Sequence, residues 1–351
     1  MKPDPRVALS QELTAADASP ALAALDSRSV VVRVPQAPTD AEALTAAALL
    51  VLVARTHAHV GLDRDADLPP NPWGADTLGN LRKALSSIGP DPAADALAAA
   101  VIDVGRAGRG SPGSLLVGAQ PWTAVVSDGP SLPEPDPPDP GAAYGGLLSA
   151  GLTAARLFRE ALRPLGLPVA VEEHLVVWNV LDHRRSLAPR QLGGAGASPR
   201  WPAVAWLACG SVGSSTAAAL ACEDLTGLRA DTVDGDTFDP ARNTFRYPAS
   251  LGSASGPKAA WVASLLRAAG AAAEPSDGSI RDWVLGRPEP GWDGIAVASV
   301  DTVDGRFDVA DVLARRRCPP PSPDWRCTSR ESGSATGCAA PTATSSICSL
   351  R

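Results

Sequence analysis

Apolar positions fall into short blocks separated by Gly, Pro and charged residues, and the blocks follow two periods. Residues 29–34 are a β-branched run that predicts a strand, preceded by an Ala/Leu block at 21–25. Residues 39–54 predict a helix opened by Thr39 or Asp40 that runs into a strand near 50–53. Residues 78–88 and 92–104 predict helices, the second with Asp91 as N-cap and Pro92 at its first position. Residues 115–117 and 122–126 predict short strands, and the Pro/Asp-rich stretch 130–140 predicts a solvated linker. Over 141–162, Leu148, Leu152, Ala155, Phe158 or Arg159, and Leu162 recur at helical spacing, while Arg156, Arg159 and Arg163 make the other face basic. Residues 169–180 alternate as a strand, and the polar, Gly-rich stretch 182–200 predicts a second linker.

The pattern then changes. Residues 203–207 are apolar throughout, as a strand covered on both faces requires. Gly210 and Gly213 follow at once, and the Ser/Ala run 214–222 predicts a helix. Glycine lets a phosphate approach the backbone, and a helix N-terminus offers N–H groups to an anion. A second predicted strand, 229–233, leads to Asp234, about 20 residues past the turn, where a carboxylate can accept a ribose hydroxyl. The dinucleotide-binding turn reads G-x-G-x-x-G, and here Ala208 stands at its first position. Asp236, Asn243, Arg246 and Lys258 then supply more charge than a dinucleotide site uses. A triphosphate site does use it, because it needs fixed cations on the phosphates and a carboxylate for magnesium. A helix over 259–269 ends at Gly270, residues 294–301 predict a strand ending in Asp301, and 307–315 a short helix.

Taken together, the Gly-rich turn, Asp234-x-Asp236, Asn243-x-x-Arg246, Gly256-Pro257-Lys258 and the strand ending at Asp301 with Arg306 beyond it resemble the ThiF/MoeB/HesA family, the ubiquitin-activating-enzyme-like adenylyltransferases. The resemblance spans about residues 202–314. It implies a Rossmann-like domain that binds ATP and Mg²⁺ and activates a carboxylate, such as the C-terminus of a ubiquitin-like or sulfur-carrier protein. Gly210, Gly213 and Ser214 would lie at the nucleotide, Asp234 at the ribose, Asp236 among the cofactor-binding residues, and Asn243, Arg246 and Lys258 at the phosphates. Asp301 would ligate magnesium, and Arg246, Lys258 and Asp301 would carry the catalysis. Three positions depart from the family: Ala208 replaces the first glycine, Thr302 an asparagine, and the interval from Asp-x-Asp to Asn243 is one residue longer. Two other functions fit the same residues, an NAD-binding oxidoreductase and a non-catalytic nucleotide-binding partner subunit.

Composition narrows the setting. The 351 residues are 45% hydrophobic and 20% charged with a net charge of −7, which suits an α/β globular chain and argues against a large nucleic-acid footprint. The N-terminus lacks a secretory signal, and the longest apolar run is too short for a bilayer. The expectation is a cytoplasmic protein without a membrane or nucleic-acid partner, to which a homodimer is open. His57 and His59 could share a strand face, but no carboxylate or thiol partner stands nearby, so a metal site is not expected there. Glu172, Glu173 and His174 could serve acid–base chemistry only if the fold brought a substrate to them.

The expected order is an N-terminal α/β domain at 1–140, a smaller domain that could be a degenerate Rossmann-like half, then helix, strand and linker at 141–200, and the nucleotide-binding domain at 201–315. Residues 316–351 differ in kind. Cys318, Cys327, Cys338 and Cys348 are spread through a Pro-, Ser- and Thr-rich stretch with no C-x-x-C pair, which predicts disorder. GC-rich codons for 317–330 and 339–348, read two bases along, can spell strand-like sequence with far less Pro and Ser. The tail is therefore also expected to be a frameshifted end, which would remove later strands of the nucleotide fold and any family cysteine.

Overall fold

The computed structural model describes residues 18–57, 59–62, 100–105, 113–129, 144–166, 174–180, 202–238, 256–287, 292 and 294–315. The chain is α/β with mostly parallel strands, arranged as two sheet-centred units. Among the described residues no helix is long and apolar enough to cross a membrane.

The first unit runs α1 (Ala18–Asp26), β1 (Ser29–Arg33), α2 (Asp40–Ala54), β2 (His59–Leu62), β3 (Ala100–Val104), β4 (Leu115–Val117), β5 (Thr123–Ser127), α3 (Tyr144–Leu162) and β6 (Leu175–Asn179). Its sheet has the order β2-β1-β3-β4-β5-β6; the first four strands are parallel, and β5 and β6 are antiparallel. Val30 and Val32 alternate inward from β1 onto a core with Ala46, Leu50, Val53, Ile102 and Leu157. Helix α2 opens with a capping box, in which the Thr39 hydroxyl accepts from the Glu42 N–H and the Glu42 carboxylate accepts from the Thr39 N–H.

Four expectations change here. Residues 50–53 complete α2 instead of forming a strand, because α2 packs against both the sheet and α3 and must be apolar nearly all round. Residues 100–104 form the strand β3 and not a helix end. Val101, Ile102 and Val104 are β-branched, and β3 pairs between β1 and β4, where the pleated surface favours them over helical propensity. The buried stripe of α3 is Gly145, Gly146, Ser149, Ala150, Thr153, Leu157, Ala161 and Leu162, so Leu162 is buried as expected, whereas Ala155 is exposed and Leu148 and Leu152 are only half-buried. Small residues win because α3 lies close against its neighbours: a Cβ at Gly146 would collide with the Thr45 hydroxyl. Finally, α3 and β6 belong to the first sheet, so the first unit extends to residue 180. Among the described residues the first sheet has six strands and the second four. Residues 78–88, both linkers, and 316–351 with their cysteines lie outside the described residues.

The second unit runs β7 (Val204–Leu207), α4 (Ser211–Leu220), β8 (Arg229–Val233), α5 (Lys258–Ala268), β9 (Ala272–Ser276), α6 (Ile280–Leu285), β10 (Ile295–Ala298) and α7 (Val303–Arg315). All four strands are parallel in the order β10-β7-β8-β9, which is the Rossmann order for the first four strands. Strand β7 is buried on both faces. Val204 and Trp206 pack with Ala217, Val262 and Leu266 from α4 and α5. Ala205 and Leu207 pack with Ile280 and Trp292, with Trp283 and Val309 alongside. Strand β9 has no strand-like pattern, yet it tolerates Pro275 because it lies at the sheet edge among the described strands. Arg287 ties the α6 side to the sheet. Its Nη1 donates to the Asp231 carboxylate at 2.6 Å, and its guanidinium stacks 4.8 Å from both the Trp283 and Trp292 rings.

The α3 packing gives a paired prediction. Gly146→Ala is expected to destabilise the protein by about 1–3 kcal/mol through overpacking. Gly151→Ala, which meets open space on the same helix, is expected to stabilise it by roughly 0.5–1 kcal/mol. Urea midpoints of the two variants check this, and a Gly146 variant as stable as the parent would refute the close approach.

Candidate functional site

Strand β7 must turn into α4 within three residues, and Ala208 makes the turn possible by adopting φ +78°. It is the only non-glycine residue in that left-handed region among the described residues. An L-residue there is strained by about 1–2 kcal/mol. Alanine therefore keeps the backbone shape that the first glycine of the dinucleotide turn would take. Gly213 is required by packing, since a Cβ would collide with the Ala208 carbonyl and lie 2.7 Å from the Ser299 hydroxyl. Gly210 is different. It caps α4 with an ordinary φ of −67° and no side-chain hydrogen bond, and a Cβ there would meet nothing within 4 Å. Neither strain nor packing explains a glycine at that position, which leaves the face of the turn bare.

Ser214 faces inward. It is fully buried, and its hydroxyl donates to the Cys209 carbonyl at 2.7 Å, so its side chain braces the turn and is not available to a ligand in this arrangement. Asp234, at the end of β8, reaches back to the turn. One carboxylate oxygen accepts from the Cys209 N–H at 2.6 Å, and the other from the Asp236 N–H at 2.8 Å. Burial raises its pKa above the usual carboxylate range, and the two N–H bonds and Lys258 hold it back only in part.

Lys258 is the first residue of α5 and is buried. A cation at a helix N-terminus opposes the helix dipole. Lys258 meets that opposition with the Asp236 carboxylate, 2.7 Å from its Nζ, and its own N–H donates to the Asp236 carbonyl. Asp236 is largely exposed, which weakens the pair by screening. Phe238 N–H donates to the Gly256 carbonyl, and Thr237 bridges Pro257. These contacts join the two ends of the segment that holds Asn243 and Arg246, and both of those residues lie outside the described residues.

Asp301 is exposed just beyond β10. The neighbouring Thr302 hydroxyl accepts from the Gly305 N–H at 3.2 Å, so threonine performs the helix-capping task that an asparagine could perform there. Two residues before Asp301, the Ser299 hydroxyl donates to the Ala208 carbonyl at 2.8 Å. Turn, Asp234 and Asp301 thus all lie at the carboxyl ends of β7, β8 and β10. The chain passes from β7 outward to β8 and β9 and then returns to β10 on the other side, so β7 and β10 flank the topological switch point, where open α/β sheets bind ligands. Ser299 was not anticipated from sequence, because its partner is 91 residues away.

Other candidates do not converge. His57 is buried at the end of α2 beside the Thr56 hydroxyl, whereas His59 starts β2, so the two do not share a strand face. No group of three or more His, Cys, Asp or Glu side chains suited to a metal occurs among the described residues. His174 Nδ1 and Arg156 both meet Asp128, and Glu172 and Glu173 lie outside the described residues. Burial pushes the Cys209 thiol up, and burial with the Glu223 carboxylate pushes that of Cys222 up to about 12, so neither is a thiolate nucleophile at neutral pH. An apolar groove of about 820 Å³ runs along the outer side of α4, between Trp122, Tyr144, Trp206, Leu220 and Val297. Asp234, Asp236 and Lys258 are not among its lining residues.

Ala208→Gly is expected to stabilise the protein slightly, by up to about 1.5 kcal/mol, because the strain relieved (about 1–2 kcal/mol) outweighs the added unfolded-state entropy of glycine (roughly 0.4–1 kcal/mol). Ala208→Val should destabilise it, since a β-branched residue resists positive φ. Equal unfolding midpoints for both variants would show that the turn does not hold residue 208 as described.

No protein-family model matches the chain and no curated protein matches it in sequence, so a functional reading rests on the geometry of this turn and its neighbours.

Proposed function

We propose that the second unit is an ATP-dependent adenylyltransferase of the ThiF type, which activates a substrate carboxylate as an acyl-adenylate. The observation that carries this reading is buried Lys258 at the N-terminus of α5, paired to Asp236 two residues after Asp234, in an Asp234–Asp236–Lys258 cluster that ends on the bare-faced turn at Gly210. A nicotinamide dinucleotide would use the turn and Asp234 but gives the lysine no task. A triphosphate gives it one.

In this reading ATP lies over Gly210 and Gly213, with its phosphates toward the α4 N-terminus. Each Asp234 oxygen accepts one N–H bond and retains a lone pair, so it can also accept a ribose hydroxyl. Lys258, with Asn243 and Arg246, holds the phosphates, and Asp236 keeps the ammonium oriented until they arrive. Asp301 supplies the hard, exposed oxygen that suits Mg²⁺, which takes few protein ligands and completes its shell with phosphates and water. A magnesium ion held there would supply charge neutralisation at the phosphates. The substrate carboxylate is already ionised at neutral pH and needs no general base. Its oxygen bonds to the α-phosphorus, the bond from that phosphorus to the bridging oxygen of the β-phosphate breaks, and pyrophosphate leaves with the electron pair. Lys258 and Arg246 stabilise the charge that develops. The acceptor is a small-molecule carboxylate or the C-terminus of a ubiquitin-like or sulfur-carrier protein, and the setting is cytoplasmic.

Thermal unfolding with ATP–Mg²⁺ and, separately, NAD tests this. Ligand at 100 times its dissociation constant should stabilise the protein by about 2.7 kcal/mol, a rise of several degrees in Tm. The rise is expected with ATP and to require Mg²⁺. In Asp301→Ala the Mg²⁺ requirement should vanish with most of the rise, while the Tm without ligand stays unchanged because Asp301 is exposed. A rise with NAD alone moves the assignment to an oxidoreductase, and no rise with either ligand overturns nucleotide binding.

A further inference from the structure

We infer that Ser299 is a positioning residue for the turn, holding Ala208 in the conformation that glycine would adopt unaided and thereby fixing the Cys209 N–H against Asp234. The inference comes from the two peptide planes on either side of Ala208. In the plane joining Leu207 and Ala208, the Leu207 carbonyl accepts from the Ser299 N–H at 3.1 Å, and the Ala208 N–H donates to the Val233 carbonyl at 2.9 Å. In the plane joining Ala208 and Cys209, the Ala208 carbonyl accepts from the Ser299 hydroxyl at 2.8 Å, and the Cys209 N–H donates to Asp234 at 2.6 Å.

Each plane is therefore pinned at both ends, by Ser299 on the β10 side and by the end of β8 on the other. Fixing both planes fixes φ and ψ of the residue between them. That residue is the one non-glycine held at positive φ among the described residues. An alanine left to itself relaxes toward negative φ, since its Cβ clashes with backbone in the left-handed region. The Ser299 hydroxyl is half of the restraint on the second plane, and that plane carries the N–H that orients the Asp234 carboxylate. Gly213 leaves room for the arrangement, because any Cβ there would strike both the Ala208 carbonyl and the Ser299 hydroxyl. Ser299 touches no nucleotide in this scheme. It acts through the turn, and it lies two residues before Asp301.

The nucleotide part of this inference rests on the proposed ATP site; the clamp on Ala208 does not. A double-mutant cycle over Ser299→Ala and Ala208→Gly separates them, read by urea unfolding and by calorimetric binding of ATP–Mg²⁺ to the full chain. With alanine at 208, loss of the hydroxyl should weaken ATP–Mg²⁺ binding about tenfold and lower the unfolding midpoint. With glycine at 208, where the conformation needs no clamp, the same change should weaken binding less than about threefold and shift the midpoint less. A hydrogen bond that merely adds stability would lower the midpoint equally in both backgrounds and leave binding alone, and that outcome overturns the inference. A parent protein that binds no ATP–Mg²⁺ overturns the adenylyltransferase reading together with the nucleotide role of Ser299. In that case the clamp stands if the unfolding losses are non-additive and falls if they are additive.

Discussion

Strand β7 has no face turned to water, and most of the second unit follows from that constraint. Four residues, Val204 to Leu207, must be covered on one side by α4 and α5 and on the other by α6 and α7. A strand enclosed in this way can leave the sheet only at its end, and here it does so through one sharp turn. On its inner side the polar groups of the turn find partners at the ends of the adjacent strands, while Gly210 leaves its outer face open. The resulting contacts draw Asp234 and Ser299 to one point, and Lys258 enters through Asp236. The candidate site is what remains when a fully buried strand ends.

The two units treat the same junction in opposite ways. In the first, the strand β1 also leads into a helix, but the α2 N-terminus is closed by the Thr39–Glu42 capping box, and the Glu42 carboxylate fills the space beside Gly105. The negative charge that a helix N-terminus favours is thus supplied from within the chain. In the second, Gly210 caps α4 without a side chain, and a buried lysine stands at the start of the neighbouring helix. One helix N-terminus is closed by its own capping carboxylate, and the other has no side-chain cap, its neighbouring lysine being paired instead with Asp236. This contrast needs no sequence similarity between the halves.

What the sequence made legible follows from range. β7, α4 and β8 could be read because apolar blocks, glycines and a terminal aspartate are local signals with one dominant interpretation. Residues 50–53 and 100–104 were misread because short apolar runs suit both helix and strand, and tertiary neighbours decide between them. The N-terminal half of the α3 stripe departs from the leucine pattern because glycines and a serine make the close contact there, while Leu162 is buried as its spacing predicts. β9 was invisible, since Ala, Glu, Pro and Ser carry no strand preference and only pairing with β8 makes them one. In the candidate site, the order and spacing of Asp234, Asp236 and Lys258 are local signals, and the structure brings Asp236 and Lys258 into contact. The inward turn of Ser214 and the part played by Ser299 depend on where distant backbone atoms end up, and no local pattern encodes that.

The bond between Ser299 and Ala208 also has a meaning in time. It closes a separation of 91 residues, and contacts of such range form after local ones because the entropy of closing the intervening chain must first be overcome. A β7–turn–α4 fragment has the residues of the turn but lacks the atoms that hold its shape. The turn therefore acquires its final geometry only once β10 has docked beside β7, late in folding, and a chain still emerging short of residue 299 has the strand and the helix without a finished site between them.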